Sequence, residues 1–100
     1  MIKVTRSPTH PGELLRDEID ELDITVTQAA EDLKISRNLL HGILAGRKSI
    51  TPETAVKIGK YIGNGGGLWL RMQVAYDLYH AEKGMAKVIR QIPEAVHAAM

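Results

Sequence analysis

Arg37, Asn38 and His41 lie close together in the stretch ISRNLLHGILAGRKSITPE, residues 35–53. Arg and Asn pair in bidentate fashion with guanine and adenine edges, and Leu39 beside them can touch a thymine methyl. Arg47 and Lys48 follow at the end of the stretch, where cations can neutralise phosphate. Leu40, Ile43 and Leu44 take the opposite side. A short helix built this way is suited to reading a DNA groove rather than to making or breaking bonds.

The other residues that could do chemistry point the same way. None of the four His residues stands four positions from another, and no His-Glu-x-x-His occurs, so neither a metal nor a cofactor is expected. His10 is read as setting the start of the first helix, and His80 and His97 as solvated. Ser36 and Ser49 have no base and orienting partner recognisable in the sequence. The chain is not expected to be an enzyme.

The reading helix must be positioned by its neighbours, and their starts are marked. Three times an Ile precedes a Ser or Thr: Ile24-Thr25, Ile35-Ser36 and Ile50-Thr51. Such a hydroxyl caps the helix that follows, and the Ile can staple onto its first turn. Thr25 is followed three residues later by Gln28, a capping box, and Thr51 by Pro52 and Glu53. The pattern predicts helices over 26–33, 37–45 and 52–62, with Gly46 and Gly63 as stops. PGELLRDEIDEL predicts a first helix whose Leu15, Ile19 and Leu22 face the core. NGGG at 64–67 predicts a turn, and a fifth helix runs over about 68–82. No strand is expected beyond weak pairing potential in IKVT, residues 2–5. The fold class is all-α: five helices and a short C-terminal extension.

Composition is consistent with one small domain. The chain has 100 residues, 44% hydrophobic and 25% charged, with one Trp, three Tyr, no Phe and no Cys. Its core must be aliphatic, and disulfides and thiolate zinc sites are excluded. No apolar run approaches a membrane span, and MIKVTRSPTHPGE has no apolar signal region. A cytoplasmic protein is expected. The formal net charge of +1 conceals a division along the chain. Residues 1–33 carry eight acids against three bases, and residues 34–60 carry six bases against one acid. Two surfaces with different partners are implied.

The second and third helices are joined by about three residues, with small Ala30 where they must cross. This is the spacing of a helix-turn-helix, whose second helix enters the major groove. The helix starts at Thr25 and Ser36, with Gln28 nearby, can donate N–H groups to phosphate. The fifth helix is apolar on two sides: Leu70, Val74 and Leu78 form one stripe, and Trp69, Met72, Tyr76 and Tyr79 another. A domain this small can cover only one. The aromatic stripe is expected to face a second copy of the chain, or else to lie under the tail, whose own stripe is Met85, Val88, Ile89 and Ile92. The domain is expected to span 1–83, with a partly helical tail at 84–100.

Three segments together resemble a known family: HPGELLRDEI at 10–19, ITVTQAAEDLKISRNLLHGILAGRKSITPETAVKIGKYIG at 24–63 and LWLRMQVAYDL at 68–78. They resemble the HigA antitoxins, within the Cro/repressor-like helix-turn-helix proteins. The resemblance implies a five-helix repressor domain, a homodimer, binding to the operator of its own operon and capture of a HigB-type ribonuclease toxin. The sequence departs from the family pattern at Lys34, where Gly is common, and at Val26, where Gln is frequent. It departs also at Leu39 and Gly42 on the expected DNA side, and at NGGG.

A ribonuclease must bind a polyanion, so its active surface should be basic. Glu13, Asp17, Asp20 and Glu21 on the first helix are therefore the expected toxin contacts. Two alternatives stay open: a stand-alone repressor, and a module that sequesters a partner and binds DNA weakly.

Overall fold

A computed structural model of the chain describes residues 7–95. Six helices follow one another: α1 Pro11–Glu21, α2 Val26–Leu33, α3 Arg37–Leu44, α4 Pro52–Ile62, α5 Gly66–Gly84 and α6 Ala86–Gln91. There is no strand among the described residues, and IKVT lies outside them. The hydroxyl caps read from the sequence are in place, while the Gln28 side chain turns to Asp32 instead of closing the box at Thr25. Thr25 Oγ1 accepts the Gln28 N–H, Ser36 Oγ the Leu39 N–H and Thr51 Oγ1 the Thr54 N–H. Each such bond satisfies a backbone donor that the helix itself leaves free and stabilises its helix by about 1 kcal/mol.

One apolar core joins α1 to α5. Leu15, Ile19, Ala29, Ala30, Leu33, Leu40, Ile43, Ile50, Ile58 and Trp69 are all buried in it. Leu22, expected there too, is 53% exposed. It sits at the C-cap of α1, where the helix has already ended and the stripe no longer points inward.

Contact between α4 and α5 depends on glycine. A methyl group on Gly59 would collide with the Gly65–Gly66 peptide, and one on Gly66 would press on the Ala55 carbonyl at 3.0 Å. The two backbones therefore meet directly. This corrects the reading of NGGG as a turn throughout: Gly66 and Gly67 already belong to the first turn of α5, and the helix runs on to Gly84. Packing against α4 outweighs the low helix propensity of these glycines. Beyond α5, residues 85–95 are all exposed, so this part of the tail does not fold back over α5. The projecting helices make the molecule 57 Å long against 28 and 26 Å in the other directions.

Among the described residues no helix is long and apolar enough to cross a membrane.

Candidate nucleic-acid interface

The turn between α2 and α3 is made by Lys34, whose φ of +60° places it in the left-handed region. The Lys34 N–H donates to the Glu31 carbonyl and the Ile35 N–H to the Ala30 carbonyl, at 3.2 and 3.1 Å. Left-handed backbone is unfavourable for a side chain with a Cβ. Here the turn is supported from α4, where Lys57 Nζ donates to the Lys34 carbonyl at 3.1 Å. A second brace lies nearby. Tyr61 of α4 donates its hydroxyl to Asp32 Oδ2 at 2.6 Å, and Gln28 Nε2 donates to Asp32 Oδ1 at 2.9 Å. Burial, reinforced by the Asp32 hydrogen bond, pushes the Tyr61 pKa up to about 12. The Tyr61 hydrogen bond, with that of Gln28, holds Asp32 below the usual carboxylate value. Gln28, expected near phosphate, thus spends its amide on α2 itself.

On α3, Arg37, Asn38 and His41 are exposed, and Leu40, Ile43 and Leu44 are buried. Leu39 is half-buried against the core, so only part of it faces the groove side. Thr25 and Ser36 are exposed at their helix starts. Past the helix, the Arg47 and Lys48 N–H groups both donate to the Gly42 carbonyl, at 2.8 and 3.0 Å. The Lys48 stem lies across Gly42, whose absent Cβ would stand 2.7 Å from Lys48 Cγ. Gly42 is therefore buried, not presented to DNA as expected. Its lack of a side chain lets the cationic loop fold onto α3, leaving Arg47 and Lys48 exposed.

The far end of α3 abuts α1. A Cβ on Gly12 would overlap the Ile43 carbonyl, and Arg16 Nη2 donates to the Leu44 carbonyl at 3.3 Å. Arg16 thus takes up one of the carbonyls left free at a helix end. Glu13, Asp17, Asp20 and Glu21 are all exposed on α1.

Of the expected dimer residues, Trp69 is placed otherwise. Trp69 is 0% exposed, and its Nε1 donates to Asn64 Oδ1 at 2.8 Å. It is a core residue because the glycine contact with α4 turns this side of α5 inward. Met72, Tyr76 and Tyr79 are half-buried. Tyr76 meets the His10 ring edge-on at 4.8 Å and the His80 ring at 4.4 Å, so exposed His80 is stacked as well as solvated. The open stripe is the other one, with Val74 55% and Leu78 56% exposed.

Two side chains that sequence reasoning missed hold the site. Gln73 is buried in α5. Its Oε1 accepts the Ile50 N–H at 2.8 Å, fixing the strand of chain that leads from Lys48 into α4. The available signal was a polar residue between apolar ones in α5. The other is Asp32, hidden among exposed charges.

A helix-turn-helix family profile matches residues 15–66. A structure of an addiction module antidote protein of the HigA family from Coxiella burnetii is 37% identical, with a TM-score of 0.82, covering 91% of this chain and 100% of that one. The chain belongs to the HigA-type helix-turn-helix family. Antitoxin HigA-1 of Vibrio cholerae is 32% identical over 80 residues, 79% of this chain and 75% of its own. Pseudomonas aeruginosa antitoxin HigA, solved with the higBA promoter, is 32% identical with a TM-score of 0.81 and covers 90% and 99% of the two chains. The HigA type is a family of DNA-binding regulators rather than of enzymes.

Proposed function

We propose that this chain is a DNA-binding antitoxin that represses its own operon and neutralises a HigB-type ribonuclease toxin. The observation that carries this reading is the face of α3: Arg37, Asn38 and His41 exposed beside Arg47 and Lys48, whose loop is held on Gly42. Its likeness to the P. aeruginosa antitoxin bound to its promoter supports it. Arg37 and Asn38 read base edges, with Leu39 and His41 beside them. Thr25, Ser36, Arg47 and Lys48 contact phosphates, and Gln28 buttresses α2 through Asp32.

The protein acts as a homodimer, as operator symmetry requires of such readers. The two copies meet on the open stripe of α5, where Leu70 and Val74 line a groove of about 490 Å³ with Gly67, Arg71 and Ala75, and exposed Leu78 continues it. Half-exposed Met85, Val88 and Ile89 extend that apolar surface. A contiguous patch of this kind marks an interaction site. Of the described residues, 7–83 form the binding unit, and 84–95 extend the dimer surface. The absence of Cys suits a reducing cytoplasm.

The experiment is titration of operator and random DNA at several salt concentrations. Arg37→Ala is expected to cost roughly 1–3 kcal/mol on the operator alone. Lys48→Ala is expected to weaken both DNAs alike and to flatten the salt slope by about one unit. An unchanged ratio of operator to random affinity in Arg37→Ala would refute α3 as the reading element.

The toxin binds the acidic face of α1. Opposite charge raises association rate and selects partners. Glu13, Asp17, Asp20 and Glu21 would repel a phosphate backbone, so a basic toxin and DNA can be held together. Asp17→Lys with Glu21→Lys should slow toxin association severalfold at low salt and leave operator affinity intact. A toxin on-rate that keeps its value and salt dependence would place the toxin elsewhere.

A further inference from the structure

The phosphate-binding cations Arg47 and Lys48 stand on a loop of irregular backbone. One side of that loop is fixed by the Gly42 carbonyl. The other side faces His10, which the DNA-binding reading does not use. His10 is only 5% exposed, between α1, the loop and α5. Its Nδ1 accepts the Gly12 N–H at 2.9 Å, capping α1. That leaves the proton on Nε2, since a neutral imidazole has one donor and one acceptor. The ring also lies against Gly46, where a Cβ would meet His10 Cγ at 3.8 Å, and against the Tyr76 ring at 4.8 Å. Gly46 has a φ of +77°, so the loop bends beside the imidazole. A simple cap needs only one acceptor atom. A buried ring lying against both Gly46 and Tyr76 does more.

We propose that His10 is a positioning residue for DNA binding: its ring sets the Gly46–Lys48 loop, and with it the cations that meet phosphate. The role rests on the DNA-binding reading above. It predicts that two parts of His10 have separable duties. Nδ1 serves the stability of α1, and the body of the ring, packed on Gly46, serves the placement of Arg47 and Lys48.

Two variants separate them. Asn places its amide oxygen near the position of Nδ1 without the ring body, and Gln reaches across the space of the ring to the position of Nε2. His10→Asn should keep a melting temperature near that of the wild type. Its affinity for operator and random DNA should fall together, by about three- to tenfold, with the salt slope reduced by about one unit. His10→Gln should melt lower, having lost the cap, yet keep a slope closer to wild type. Wild type and Lys48→Ala are titrated alongside. If the wild type binds DNA with a steep slope, Lys48→Ala flattens it and His10→Asn leaves it unchanged, the positioning role is overturned while the DNA-binding reading stands. If the wild type shows no salt-dependent DNA binding at all, the reading of function fails, and the role of His10 fails with it.

Discussion

The helix-turn-helix and α5 are both amphipathic, yet they were not equally legible. α2 and α3 are bounded by caps that sit within three residues of the N–H they satisfy. Their single apolar faces leave one way to pack. α5 carries two apolar stripes, and nothing in its own sequence says which goes inward. That choice is made by Gly59, on a different helix. Local hydrogen-bond chemistry can be read from a chain, whereas the orientation of a two-faced helix depends on what meets it.

The sharpest way to test this contrast is to remove Trp69. A core role predicts that Trp69→Ala loses about 3–5 kcal/mol in chemical denaturation. An interface role would instead alter the oligomer and spare the folded monomer. Val74→Lys with Leu78→Lys should do the reverse, converting dimer to monomer in analytical ultracentrifugation while the helical circular dichroism persists. A dimer surviving both lysines would remove the open stripe from the interface.

A smaller effect is expected at the seam between the two regions. Burial holds His10 below its ordinary pKa, against the opposing pull of Asp77, the Lys48 backbone and Glu13. The folded state therefore prefers neutral His10. Its contribution is complete above the unfolded value of about 6.5 and is lost as pH falls through the lower folded value. Melting temperature should drop over that window in the wild type, and less in His10→Asn.

What could be read in advance follows the same division. The starts of α2, α3 and α4 came from hydroxyls at Thr25, Ser36 and Thr51, and the exposed polar face of α3 from Arg37, Asn38 and His41. Gly42 was misplaced because its partner, the Lys48 stem, returns from outside the helix. Leu22 was misplaced because a stripe continues in sequence after the helix has stopped. Gln28 was expected at phosphate, but its amide donates to Asp32, which Tyr61 in turn holds from α4. Each miss involves a contact that periodicity within one segment does not encode.

The sealed indole of Trp69 has a spectroscopic consequence. It is the sole tryptophan of the chain and is fully enclosed, with its N–H held by Asn64. Its emission therefore reports on a single place, the joint between α4 and α5. Unfolding should shift that emission to the red as water reaches the ring. A partner docking on α1, or a duplex on α3, should leave the colour alone unless the joint itself moves. The protein thus carries a built-in optical gauge that distinguishes binding at its surface from rearrangement of its interior, with no label attached.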